Sequence, residues 1–436
     1  MSQTFKGGIH PDDKKDLTSH KPIELLPAPE KVILPMSMHI GAPCQPQVAV
    51  GDHVFMGQVI ASSPAAVSAP IHATVSGTVS FIGPMDHPGG GKMNSIVIEN
   101  DFKDELDSSV MPIDYSSMTA DEMNEAIKNA GIVGHGGAAF PTHIKISSAF
   151  GKVDTVIING AECEPYLTSD HRLLLERPGE IIGGIQILLR ILGLNNAVIG
   201  IEANKADAFE GIKALLPADG SIKLVPMATK YPQGAEKQLI KTLTGREVPS
   251  GKLPADAGCA VFNVDTAGAV YRLFSQGMPM LRRIVTVSGP DIALPKNLEV
   301  RIGTPIKDLI NFCGGFNEPP TKLIMGGPMM GVALYTDEAP IIKGTNGILA
   351  FAEDSPLHIS DPVCIRCGKC VEHCPMQLVP TYIYQTYTAG RMDECLKYSP
   401  LDCIECGACS YICPGKVPLT QGIRAAKQKI LSANRK

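Results

Sequence analysis

The residues of this chain best suited to chemistry are eight cysteines near its end, in two runs of the form Cys-x2-Cys-x2-Cys-x3-Cys-Pro. They are Cys364, Cys367, Cys370 and Cys374 before Pro375, then Cys403, Cys406, Cys409 and Cys413 before Pro414. Three thiolates at that spacing wrap one cubane from a tight loop, and the fourth, ahead of a proline, starts a segment that reaches a second cluster. The spacing predicts two [4Fe–4S] clusters with exchanged fourth ligands. One is held by Cys364, Cys367, Cys370 and Cys413, the other by Cys403, Cys406, Cys409 and Cys374. Zinc is the alternative, but zinc knuckles pair Cys-x2-4-Cys across a longer spacer. Here four cysteines crowd into eleven residues, twice.

A second candidate site is Gly131-Ile-Val-Gly-His-Gly-Gly-Ala-Ala-Phe-Pro-Thr-His-Ile-Lys145, with four glycines in its first seven residues. Gly134-x-Gly136-x-x-Ala139 matches the dinucleotide fingerprint loosely, and it follows a helical stretch where that fingerprint follows a strand. Backbone amides in so bare a loop approach a phosphate or a flat ring closely; the other reading is a surface loop. Downstream lie Asn159-Gly-Ala-Glu162-Cys163-Glu164-Pro165-Tyr166, Tyr231-Pro-Gln-Gly234-Ala-Glu236-Lys237 and Phe262-Asn263-Val-Asp265-Thr266. Each sits at the end of a predicted strand or in the loop after it, where open α/β sheets bind ligands.

The elements that must position these residues divide the chain. At 436 residues it exceeds what one core serves, so three or four domains are expected. Residues 47 to 100 read as short strands between turns, and 114 to 274 alternate helices with apolar strands, which predicts a parallel, doubly wound sheet. Strands are expected over 154–159, 196–202 and 221–227, with helices over 119–130, 178–192 and 205–216. A second β-rich piece spans 283–302, a helix-like stretch 304–312, and the two cysteine runs flank a linker with helical potential, 380–398. The segment 419–433 reads as a basic helix capping the cluster region. The fold class is multidomain α/β, divided as 1–30, 31–102, 115–280, 283–350 and 355–436.

Net charge is −5 with mixed signs, which gives no basic field for nucleic acid or for anionic lipid. Met1 to His10 carries no apolar signal segment. The most apolar stretch, Ile181 to Leu194, contains Gln186 and Arg190 and is too short to span a bilayer. The chain by itself is expected to be soluble and cytoplasmic. Of thirteen cysteines, most of the five outside the runs, Cys44, Cys163, Cys259, Cys313 and Cys395, read as buried thiols. His10, His135 and His143 have no spaced partners and read as hydrogen-bonding residues. Met325 to Met330 read as core filling.

Three resemblances organise these readings. Residues 47–100, with Gly51-Asp52-His53-Val54 and Ser76-Gly77-Thr78-Val79, resemble the biotinyl/lipoyl barrel-sandwich fold. The tip expected at 62–68 has no carrier lysine, so this unit reads as scaffold. The stretch 283–316 resembles the SLBB β-grasp module. In order and spacing, the glycine-rich loop and the three later segments resemble the flavin site of the complex I flavoprotein subunit. That likeness implies FMN, with Gly134, Gly136, Gly137 and Lys145 at its phosphate and ribityl chain. It places Asn159, Glu162, Tyr231, Gly234, Asn263 and Thr266 at the flavin and nicotinamide, and Glu236 completes the pocket. Two features depart from the pattern: Ala235-Glu236 replaces two glutamates, and two clusters replace one.

Taken whole, with Lys6-Gly-Gly-Ile-His10-Pro11 and Met325-Gly-Gly-Pro-Met-Met-Gly331, the chain resembles the RnfC family, subunits of the membrane-bound Rnf complex. The resemblance implies a peripheral subunit on the cytoplasmic face of the membrane, attached through the other Rnf membrane and iron–sulfur subunits. It would exchange hydride with NADH at FMN and single electrons through the two clusters, with ferredoxin as the indirect partner and Na+ or H+ moved by other subunits. A flavin is needed because NADH yields two electrons at once and each cluster accepts one. Hydride transfer requires no acid or base, so Glu162, Glu164 and Glu236 are expected to supply position and charge; for Glu164, a solvated or helix-capping place is equally open. Two other functions share this layout: a corrin reductase of a bacterial microcompartment, and a docking or wire subunit without nucleotide turnover.

Overall fold

A computed structural model of the chain describes residues 3–136, 139–352 and 362–433. Near the N-terminus two small antiparallel sheets face each other. Lys31–Pro35, Lys92–Asn100, Gly77–Asp86 and His53–Val54 form one; Gln45–Pro46, Val59–Ser62 and Ile71–His72 form the other. Val32, Leu34, Val54, Ile60, Val79, Ile96 and Ile98 are fully buried between them, the inward half of a period-two pattern.

The central sheet is parallel, in the order Ile222–Met227, Ala197–Glu202, Thr155–Gly160, Cys259–Asn263. The Ala197–Glu202 strand is buried at every residue, as expected of a strand covered on both faces. Strand order reverses between Thr155–Gly160 and Cys259–Asn263, so their C-terminal ends open a crevice. The helix Pro178–Leu192 starts with proline and stops at Gly193, whose φ of 63° no β-branched residue adopts comfortably. It lies tightly on the helix Val264–Gln276: a Cβ on Gly184 would stand 1.8 Å from the Ala267 carbonyl oxygen. That contact sets the direction in which Val264–Gln276 points its first turn.

Two arrangements differ from the expectations. Residues 1–30 do not form a separate segment, because Ile23–Leu25 pairs in parallel with Lys296–Arg301 and joins a six-stranded mixed sheet with Arg282–Ser288 and Gly347–Phe351. A three-residue strand is too short to show a period. The glycine-rich loop also opens a helix, Thr142–Ala149, whose mixed composition shows little amphipathic periodicity.

In the C-terminal part the two cysteine runs fold alike. Gly368 and Gly407 are left-handed at φ 77° and 81°, each just before a four-residue helix, Lys369–Glu372 and Ala408–Tyr411. Arg366 and Glu405 are likewise left-handed. The helix Leu419–Ala433 buries Leu419, Ile423, Ala426 and Ile430, one stripe at helical spacing, against Pro380–Thr388. Among the described residues no helix is long and apolar enough to cross a membrane.

Candidate functional site

Asn159 and Asn263 are register partners at the ends of the two strands that flank the crevice. Asn159 Nδ2 donates to the Gly234 carbonyl at 2.9 Å, and its Oδ1 accepts from Ala161 N at 3.1 Å. Asn263 caps the helix Val264–Gln276: Oδ1 accepts from Asp265 N at 2.8 Å, and Nδ2 donates to Asp170 Oδ2 at 2.7 Å. The helix presents its positive end at the crevice, a place where anions are favoured.

The glycine-rich loop is fastened to that same helix. Thr266 Oγ1 accepts from His135 N at 3.0 Å and lies 3.0 Å from His135 Nδ1. The buried His135 stands 3.9 Å from Asp265, whose carboxylate also pairs with Arg272 and Arg283. Gly134 N donates to Phe140 O at 2.7 Å, closing the loop on itself. Gly136 is left-handed at φ 79°, with open space where a Cβ would stand. Gly137 lies outside the described residues. Lys145 Nζ donates to the Val261 carbonyl at 2.8 Å and to Glu236 Oε1 at 3.0 Å, with its side chain 29% exposed.

Several side chains expected around the ligand are held by protein partners. Glu162, left-handed at φ 46°, accepts from Asp170 N at 2.7 Å and His171 N at 3.1 Å, and so caps the helix Ser169–Glu176. Tyr231 is 1% exposed, and its hydroxyl donates to the Cys406 carbonyl at 2.7 Å, which links the flavin segment to a cluster loop. Gly234 N donates to Cys163 Sγ at 3.3 Å; burial pushes that thiol well above its ordinary range. Glu164 neither faces open solvent nor caps a helix. Its carboxylate accepts from Met329 N and Met330 N, both at 3.0 Å, and burial raises it to about 7. The methionine run is therefore only partly core: Met330 is 46% exposed, and the run's backbone binds Glu164.

Three residues escaped the sequence reading. The Asp170 carboxyl is raised well above the carboxylate range by burial first and then by the neighbouring Glu162 charge, and it orients Asn263. Thr168-Ser-Asp-His171 carries no signal beyond an ordinary helix start. Lys15 donates to the Glu164 and Leu167 carbonyls, and Lys205 to the Ala161 carbonyl at 2.6 Å. Both lysines are buried and brace residues 161–167 from behind. Lysine in a sequence reads as solvent-facing, which hid them.

Among the cysteines, Cys374 lines one cavity with Cys403, Cys406 and Cys409. Cys364 and Cys413 are thiol neighbours of Cys370, in a hydrophobic cluster that Cys409 also joins, and Cys367 is exposed. Burial pushes the Cys406 and Cys409 thiols up to about 12, with neighbouring cysteines adding to the rise. So many packed thiols ionise together only where a cationic centre offsets their repulsion, and an iron–sulfur cluster supplies one. The donor set fits the group on that ground. Among the described residues no three His, Cys, Asp or Glu close on a single-ion point. Cys44, Cys259, Cys313 and Cys395 are buried free thiols.

Domain-family models match the chain piece by piece: a RnfC barrel sandwich hybrid domain over residues 3–103, a Nuo51 FMN-binding domain over 127–272, an SLBB domain over 284–333 and a 4Fe-4S dicluster domain over 357–414. With the crevice and the thiol cavity, they define an electron-transfer flavoprotein that uses FMN and two [4Fe–4S] clusters. The C subunit of the Na(+)-translocating ferredoxin:NAD(+) oxidoreductase complex of Acetobacterium woodii is 46% identical over 99% of this chain and 98% of its own length. Its counterpart in the proton-translocating ferredoxin:NAD(+) oxidoreductase complex of Clostridium ljungdahlii is 49% identical over 88% of this chain and 84% of its own. The chain belongs to the RnfC family, the C subunits of ion-translocating ferredoxin:NAD+ oxidoreductase complexes. A chain of the NAD+-reducing [NiFe]-hydrogenase in its air-oxidized state is similar in fold, with a TM-score of 0.51 at 20% identity, over 71% of this chain and 62% of that one.

Proposed function

We propose that this chain exchanges hydride between NADH and FMN, and single electrons between FMN and two [4Fe–4S] clusters, as a peripheral subunit of an ion-translocating ferredoxin:NAD+ oxidoreductase. It would sit on the cytoplasmic face, held to the membrane by partner subunits. The observation that carries this is the join between the two sites: Tyr231, from the flavin segment, donates its hydroxyl to the carbonyl of Cys406, a cluster ligand in this reading. FMN, when bound, supplies the conversion between two-electron and one-electron chemistry.

The chain's own residues bind and orient. Gly134, Gly136 and Gly137 would bring backbone against the phosphate end, beside the positive end of Val264–Gln276. Lys145 would exchange part of its bond to Glu236 for the ligand. Asn159, Gly234, Glu236 and Asn263 would line the ring, while Glu162, Thr266 and Tyr231 hold the walls through Asp170, His135 and Cys406. Cys364, Cys367, Cys370 and Cys413 would hold one cluster, and Cys374, Cys403, Cys406 and Cys409 the other. The shared cavity of the second set supports the exchange of fourth ligands. The relatives' names carry different coupling ions at similar identity to this chain, 46% and 49%. This supports placing the choice of ion in other subunits.

The test is anaerobic addition of NADH to the protein carrying both clusters and FMN, watching the flavin absorption. Bleaching followed by cluster reduction is expected. An unchanged flavin spectrum would leave a wire or docking subunit in its place.

A further inference from the structure

The segment Lys6-Gly-Gly-Ile-His10 has no place in the chemistry above, yet it touches both halves of the electron path. Gln3 pairs with the end of the edge strand: Gln3 N donates to Pro226 O at 3.2 Å and Ala228 N to Gln3 O at 2.9 Å. Ile9 and Tyr231 exchange two backbone hydrogen bonds, of 2.8 and 2.9 Å. Between these points the chain turns through Gly7 and Gly8, both left-handed at φ 81°. There Gly8 N donates to the His373 carbonyl at 2.9 Å, next to Cys374. A Cβ on Gly7 would stand 2.7 Å from the Cys374 carbonyl oxygen, and one on Gly8 2.7 Å from that of Tyr231. The strap is itself anchored: Lys230 donates to the Phe5 carbonyl at 2.8 Å and lies 4.6 Å over the Phe5 ring.

Two further bonds converge on the same cluster loops, Tyr231 Oη to Cys406 O at 2.7 Å and Gln238 Nε2 to Pro375 O at 3.2 Å. The donors Gly8 N, Tyr231 Oη and Gln238 Nε2 come from the strap or the flavin domain, and their acceptors, the carbonyls of His373, Cys406 and Pro375, lie at or beside cysteines of one thiol cavity. Moving these contacts therefore moves the backbone that carries the cluster ligands.

We propose that the strap Phe5–Ile9 is the positioning element that sets the separation between the Cys374/Cys403/Cys406/Cys409 cluster and the flavin crevice, with Gly7 and Gly8 as its positioning residues. The proposal rests on the assignment of Cys374 to that cluster. Only glycine fits at Gly7, because the backbone is left-handed there and a Cβ would come about 0.7 Å inside ordinary contact with a carbonyl that cannot rotate away.

The test compares Gly7→Ala with Gly179→Ala, a glycine whose added Cβ meets nothing, in protein carrying FMN and both clusters. Iron and FMN content and NADH-driven flavin bleaching should match the wild type in both variants. In Gly7→Ala, electron arrival at the clusters should slow by about tenfold or more, the scale on which an ångström of misplacement acts. Amide hydrogen exchange should rise in peptides spanning 373–378 and 404–408. Gly179→Ala should change neither. Wild-type exchange and wild-type transfer in Gly7→Ala would overturn the proposal. Should Gly7→Ala lose iron, Lys230→Met, which releases the Phe5 carbonyl without adding an atom against Cys374, must show the same rise in exchange; an unchanged pattern there would equally overturn it. The exchange measurement needs no NADH, so a failure of the proposed NADH site shows separately, as absent bleaching in the wild type.

Discussion

Glu164→Gln should flatten part of the pH dependence of stability. The Glu164 carboxyl packs deeply beneath the backbone of Met329 and Met330, and burial raises it from the ordinary 4.5 to about 7. The folded chain therefore binds this proton more tightly than the unfolded chain does. Stability from Glu164 is complete below about pH 4.5 and is lost as pH rises through about 7, because the carboxylate must then ionise against desolvation. A shift of that size corresponds to at most about 3 kcal/mol, less where the residue's outer edge is screened by water. Glutamine cannot ionise. It has one acceptor oxygen for two amide donors, a mismatch of about 1–3 kcal/mol that the protonated acid shares. The mismatch thus cancels, and the variant should come within about 1 kcal/mol of the wild type near pH 5 and melt several degrees higher near pH 8. The assay is thermal unfolding of the loaded protein, anaerobically, at matched heating rates across that range, since a multidomain metalloprotein need not unfold reversibly. Parallel profiles for the two proteins would show that Glu164 stays charged throughout and that the reasoning is wrong.

Two further outcomes are expected. Lys145→Ala should weaken FMN binding by about 10- to 100-fold, the worth of a charge-assisted hydrogen bond, while iron content is unchanged; equal loss of flavin and iron would refute the division of labour between the domains. Cys374→Ser should leave the same residual cluster spectrum as Cys403→Ser, and Cys413→Ser the same as Cys364→Ser; a match between Cys374→Ser and Cys364→Ser would show that each run closes its own cluster.

Much of the site was legible because its signals are local. Cysteine spacing within eleven residues reports a ligand loop directly, since three side chains reach one centre from one turn. The strands that end at Gly160 and Asn263 are short apolar runs closed by polar loop residues, so their ends could be located before their neighbours were known. The burden that falls on Glu162, Tyr231 and Thr266 was not legible. Each has the residue type of a ligand contact, and each instead commits its polar atoms to Asp170, Cys406 and His135, partners 8, 175 and 131 residues away. The buried lysines, Lys15 and Lys205, were hidden for the opposite reason: their long-range partners are backbone carbonyls, which leave no mark in a sequence, although Lys205 also pairs locally with Glu202 at 3.5 Å and Asn204 Oδ1 at 3.1 Å.

Taken alone, the sequence determined the inventory: eight thiols in two ligand loops, a glycine-rich loop before a lysine, and asparagines at strand ends in an alternating α/β pattern. These follow from rules that act over a turn or a strand, where side-chain spacing and backbone period decide. Tertiary structure alone decided how the two inventories meet. Tyr231 reaches Cys406, Glu164 holds the 329–330 backbone, and residues 5–9 press two glycines between the flavin loop and Cys374. Those contacts depend on close approach of backbones far apart in the chain, which is set by packing and has no period to read.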